Sequence, residues 1–157
     1  MQLTLFTDYS LRVLLFVAAH PGRTVAVSEI ARAYGISSHH LMKVAQKLVQ
    51  LNLVEATRGR NGGLRLKREP SAINLGELVR RTEPNMTLVE CFDPATNTCP
   101  IAPACGLKSA LAEAQRAFLT VLDGYTLADF AHRATKLQAL WKPLTTERSR
   151  RGSSSRK

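Results

Sequence analysis

Leu11, Leu14, Leu15 and Ala18 recur at intervals of three and four, the period of one helix face. They predict a helix over residues 7–20, with Thr7 as its cap and Pro21-Gly22 as its stop. A second, short helix is expected over residues 27–34, ended by Gly35 in a left-handed cap. Ser37 then caps a third helix to about Leu51, whose apolar face holds Leu41, Val44, Ala45, Leu48 and Leu51. Its other face carries Ser38, His39, His40, Lys43 and Lys47. Two helices joined by a glycine turn form a helix-turn-helix. The second of them has the apolar back and basic front that a major-groove reader needs.

Residues 53–58 and 63–67 then predict two strands, and Gly59 to Gly62, including Asn61-Gly62, supplies the positive φ angles of the turn. Arg58, Arg60, Arg65, Lys67 and Arg68 make this hairpin a basic wing. A short helix is expected over residues 73–83 and a long one over 106–122. The long one spaces Leu107, Leu111, Ala114, Phe118, Val121 and Leu122 like a coiled-coil seam. Dimerisation along it is the expectation, against the plainer alternative of packing within one chain. Gly124 breaks it, and Thr126 and Asp129, at capping-box spacing, open a last helix toward Trp141. Trp141 and Met42 read as packing residues.

The fold class is therefore mainly α, a winged helix-turn-helix DNA-binding domain plus a long dimerisation helix. Residues 1–68 form the DNA-binding unit, 69–142 the loop and dimerisation helices, and 143–157 a polar, basic tail expected to be disordered.

Charge sharpens this division. The net charge is +10. Residues 1–68 carry ten Lys/Arg against three Asp/Glu, residues 69–142 seven against eight, and the tail five against one. A basic globular unit points to a polyanion, nucleic acid first. Asp8 and Arg12 interrupt the N-terminal apolar residues, so neither a membrane span nor a signal peptide is expected, and the location follows as cytoplasmic. His20, His39, His40 and His132 are scattered, with no nucleophile–base pattern, and Asn61-Gly62-Gly63 is a turn rather than a phosphate cradle. An enzyme is not expected.

The chain's three cysteines, Cys91, Cys99 and Cys105, share one stretch with Pro94, Pro100 and Pro103, which rules out regular helix or central strand there. An odd number leaves one thiol outside any pure disulfide framework. Three thiolates suit an iron–sulfur cluster or zinc, with a fourth ligand from elsewhere. One disulfide with a spare thiol, or three ordinary small side chains, are the plainer alternatives. A reducing cytoplasm weighs against the disulfide. Asp8 by itself reads as a first-turn carboxylate favoured by the helix dipole.

The segments MQLTLFTDYSLR, ATRGRNGGLRL, CPIAPACGLKSAL and YTLADF extend the picture. Over roughly residues 1–135 the chain resembles the nitric-oxide-sensitive repressors of a bacterial family of winged-helix regulators that also includes the iron–sulfur regulator IscR. The resemblance implies a cytoplasmic homodimer on double-stranded, palindromic operator DNA, with nitric oxide as the signal that releases it by cluster nitrosylation or loss. Cys91, Cys99 and Cys105 would hold a [2Fe–2S] or [4Fe–4S] cluster, with Asp8 of the partner subunit as fourth ligand. IscR-like members have a His three residues after the last Cys; here that position is Lys108, which cannot ligate while protonated. The first cysteine gap is longer than in some relatives. Arg12, Ser28, Ser38, His39, His40, Lys43, Lys47, Arg58, Arg60 and Asn61 are the expected DNA contacts. A thiol-oxidation- or zinc-dependent regulator on the same scaffold is the alternative. A redox enzyme or electron carrier is a third reading, which the basic winged half argues against.

Overall fold

Thr4, not Thr7, caps the first helix in the computed structural model, which describes residues 2–59 and 62–141. In α1 (Leu5–Ala18) the Thr4 side chain accepts from the Thr7 N–H at 3.3 Å. Thr7 lies one turn further on, fully buried, and its hydroxyl turns instead to Thr82 Oγ1 at 3.0 Å. Two threonines compete for the cap, and the one with a buried partner is lost to it.

Helix α2 (Val27–Tyr34) stops at Gly35, whose φ of 69° is the left-handed value expected. Helix α3 (Ser38–Gln50) follows Ser37, which takes the cap position without a side-chain bond. Strands β1 (Val54–Thr57) and β2 (Gly63–Leu66) pair antiparallel, Val54 opposite Leu66 and Thr57 opposite Gly63. Val25 exchanges both backbone bonds with Leu64, at 2.9 and 2.8 Å, so the link into α2 is pinned to the wing. The approach is close: a Cβ on Gly63 would lie 2.3 Å from the Val25 carbonyl oxygen. Arg60 and Asn61 lie outside the described residues.

Helix α4 (Leu75–Thr82) is capped by the Asn74 side chain, which accepts from the Glu77 N–H at 2.9 Å. Short 3₁₀ turns at Glu90–Phe92 and Ala102–Ala104 punctuate the cysteine loop, and α5 (Gly106–Asp123) leaves it directly. The expected last helix is broken. A short α6 (Ala128–Ala131) turns at His132 and Arg133, and residues 134–141 are helical again. Asp129 Oδ2 accepts from both the Thr126 N–H and its hydroxyl, at 2.7 and 2.9 Å, so the carboxylate half of the capping box is in place.

One core serves the described residues. Val13, Leu14, Ile30, Leu41, Leu48 and Leu64 come from the first 68 residues, and Ile73, Leu78, Leu127 and Trp141 complete the same cluster. The winged unit is therefore not closed on its own. Trp141 packs on Phe16 with ring centres 4.5 Å apart and edge-on to Tyr34 at 5.6 Å, confirming its packing role. Helix α5 is the exception: none of its 18 residues is buried. No helix among the described residues is long and apolar enough to cross a membrane. The tail expected to be disordered lies outside those residues.

Candidate nucleic-acid interface and cysteine loop

Helix α3 and the wing face each other across an open groove of about 830 Å³. The core fixes its orientation: Leu41, Val44 and Leu48 are buried, which turns His39, Lys43 and Gln46 outward. His39 and Lys43 line the groove on the helix side, and Arg58 faces them from the end of β1. Ser28, Ser38 and His40 are exposed nearby in sequence, and Lys47 is half-buried; none of the four lines the groove.

Met42 corrects the packing assignment. It is 62% exposed and lines the groove. The signal was present in the spacing, because position 42 falls outside the 41, 44, 45, 48 stripe. Gln46, also exposed in the groove, was missed for want of charge.

Arg12 is held elsewhere. Its guanidinium grips the Asp8 carboxylate through two contacts, Nε to Oδ1 at 2.9 Å and Nη2 to Oδ2 at 2.8 Å. It also sits over the Tyr34 ring, 5.6 Å from the centroid. Burial pushes the Tyr34 phenol up to about 12, the Arg12 charge pulling against it and Asp8 adding to it. The phenol is neutral at any working pH and serves as a cation platform.

Cys91, Cys99 and Cys105 are free and half-buried. Among the described residues no three His, Cys, Asp or Glu side chains converge on a common point that could hold a metal. The loop is held by local bonds: Phe92 N–H to the Val89 carbonyl at 3.0 Å, and Cys99 N–H to Asn97 Oδ1 at 3.1 Å. Three soft, unpaired thiols on one loop with little long-range anchoring are the donor chemistry that cluster iron takes. In that respect the residues fit an iron–sulfur group. Cys105 is the cap residue of α5, so the loop's last thiol and the helix share one peptide unit.

Contacts that sequence spacing did not reveal carry that helix into the rest of the fold. Arg80 on α4 binds Asp123 at the end of α5 through two parallel bonds of 2.6 Å. Hydrogen bonding from Arg80 holds the Asp123 carboxyl below its ordinary value and raises Arg80 in turn. Gly76 leaves room for this, since a Cβ there would meet Asp123 Oδ1 at 1.9 Å.

A helix-turn-helix whose exposed face shares a basic groove with a β-hairpin defines a winged-helix DNA-binding regulator. The chain belongs to the Rrf2 family of iron-dependent transcriptional regulators, which matches residues 3–133. It is 52% identical to the HTH-type transcriptional regulator NsrR of Bacillus subtilis over 90% of this chain and 98% of the relative. To the NsrR of Shouchella clausii it is 50% identical over 94% and 99%. Among solved structures it resembles IscR of T. potens, with 26% identity, a TM-score of 0.68 and coverage of 85% and 88%. CymR, the global cysteine regulator of B. subtilis, matches with 26% identity, a TM-score of 0.67 and coverage of 84% and 97%. The protein is a transcriptional regulator and not an enzyme.

Proposed function

We propose that the chain is a cytoplasmic, homodimeric repressor that binds a palindromic operator and releases it in response to nitric oxide. The observation that carries this reading is the continuity of the cysteine loop with α5, the one long helix with no buried residue. Cys91, Cys99 and Cys105 would hold an iron–sulfur cluster, which when bound supplies iron that nitric oxide attacks, so that operator affinity follows cluster state. Asp8 of the partner subunit is the proposed fourth ligand, a harder donor than thiolate and hence the weaker one.

The chain's own residues supply the rest. Residues 1–68 present the reading face, with Lys43, Lys47 and Arg58 for phosphate and His39 and His40 toward base edges. Residues 69–142 carry the loop and the dimer helix, along which Leu107 and Val121, 65% and 61% exposed, would meet a second copy. Arg80 and Asp123 tie α5 to α4, and Thr82 and Thr7 tie α4 to α1, the helix that packs in the same core as α3. A change at the loop thus reaches the reading helices through packed elements, and half-sites one turn apart tolerate little change in their spacing.

The half-exposure of all three thiols favours a second reading, a thiol-oxidation- or zinc-dependent regulator on the same scaffold. Iron and sulfide counting on anaerobically purified protein, with its visible spectrum, separates the two. Stoichiometric iron and sulfide support the cluster; a colourless protein holding zinc or no metal contradicts it.

A further inference from the structure

Within residues 2–59 and 62–68, three large hydrophobic side chains are exposed: Leu5, Met42 and Val49. The last two lie seven residues apart, two turns along α3, and both line the groove toward the wing. Helix α3 does not lack a core face, because Leu41, Val44 and Leu48 are buried and none of them lines the groove. Met42 is therefore apolar surface held out at the centre of the reading face. Its surroundings say what would cover it. Lys43 and Arg58 line the same groove, and none of the described residues lining it is acidic. A polyanion fits that setting, and the apolar group a duplex offers in its major groove is the thymine C5-methyl. An unbranched, polarisable thioether adapts to such a contact without demanding one rotamer. Gln46, one turn further on and exposed in the same groove, has the amide that pairs with adenine N6 and N7.

We infer that Met42 is a specificity-determining residue that reads thymine, so that each operator half-site holds an A·T pair opposite it. This rests on the DNA-binding reading of the groove. The test starts from duplexes enriched by the full-length protein out of a random-sequence pool. Each thymine is then replaced, in both half-sites together, by deoxyuridine, which removes only the methyl group. At one position the wild-type protein should lose about fourfold in affinity per half-site, the worth of one buried methyl. Met42→Ala, in an exposed position, should fold normally by circular dichroism and be indifferent to that same replacement. Equal sensitivity of the two proteins at every position, or no methyl-sensitive position at all, would overturn the assignment. Failure of the wild-type protein to enrich any sequence would overturn the DNA-binding reading itself, a result distinct from enrichment without methyl dependence.

Discussion

Thr7 donates to Thr82 across the α1–α4 seam, two hydroxyls 3.0 Å apart at sites 0% and 7% exposed. Thr82 passes its own proton to the Leu78 carbonyl at 2.9 Å, so the chain of bonds has a direction. That direction makes the two positions unequal. Thr7→Val leaves Thr82 still bonded to Leu78 and should cost about 1 kcal/mol. Thr82→Val leaves the buried Thr7 hydroxyl only the longer contact to Thr4 Oγ1, at 3.3 Å, and should cost about 1–3 kcal/mol. The Thr7→Val, Thr82→Val double variant should recover most of that loss. Urea unfolding of the four proteins checks the order, and equal single costs would contradict it.

Reading this chain in sequence order finds what is local. Gly35 announces its own left-handed turn, and Leu41, Val44 and Leu48 announce which side of α3 is inward, because both signals lie within one helix. The Thr7–Thr82 bond spans 75 residues and the Arg80–Asp123 pair 43, and no periodicity encodes either. Thr7 satisfies the local rule for a cap, but its long-range partner decides its role. Met42 has the residue type of a packing side chain, but its place on the helix turns it to the groove. The break at His132 and Arg133 carries no Gly or Pro, so nothing in the local sequence marks it.

The Arg80–Asp123 pair should show itself in a pH dependence. The Asp123 carboxyl is held below its ordinary 3.8 in the folded chain. Its contribution is therefore complete at neutral pH and is lost as acid titrates through the lower folded value. Asp123→Asn should lower Tm slightly at pH 7 in low salt, less in high salt, and not at all once the carboxyl is protonated. A difference that persists unchanged at acid pH would place the residue's role outside the ion pair.

Cys91→Ala, Cys99→Ala and Cys105→Ala should each abolish iron retention and leave the fold intact, with stability within about 0.5 kcal/mol of the parent. The thiols are half-buried and outside the hydrophobic core, so they have little packing to lose. Far-UV circular dichroism and gel filtration check this. Collapse of the chain would assign the cysteines a structural role.

Asp8 and Arg12 can be told apart although they are bonded to each other. As a part-buried i,i+4 pair they contribute about 0.3–0.5 kcal/mol, and Arg12→Ala also gives up its contact with the Tyr34 ring, so Arg12 should be the costlier loss for stability. A cluster ligand reverses that order for the chromophore. Asp8→Ala should speed loss of the visible chromophore in a chelator challenge, while Arg12→Ala should not. Identical rates in both variants and the parent would return Asp8 to the role of a helix-surface carboxylate.

The response to nitric oxide tests the account most directly. An anaerobic mobility-shift titration with a nitric-oxide donor, on the enriched operator duplex, follows bound DNA and cluster absorbance together. The iron-loaded protein should release the duplex as its visible spectrum changes, and the cluster-free protein should be unaffected by the donor. Equal DNA binding by the iron-loaded, donor-treated and cluster-free forms would contradict the sensor reading, leaving a DNA-binding protein whose cysteine loop does something else.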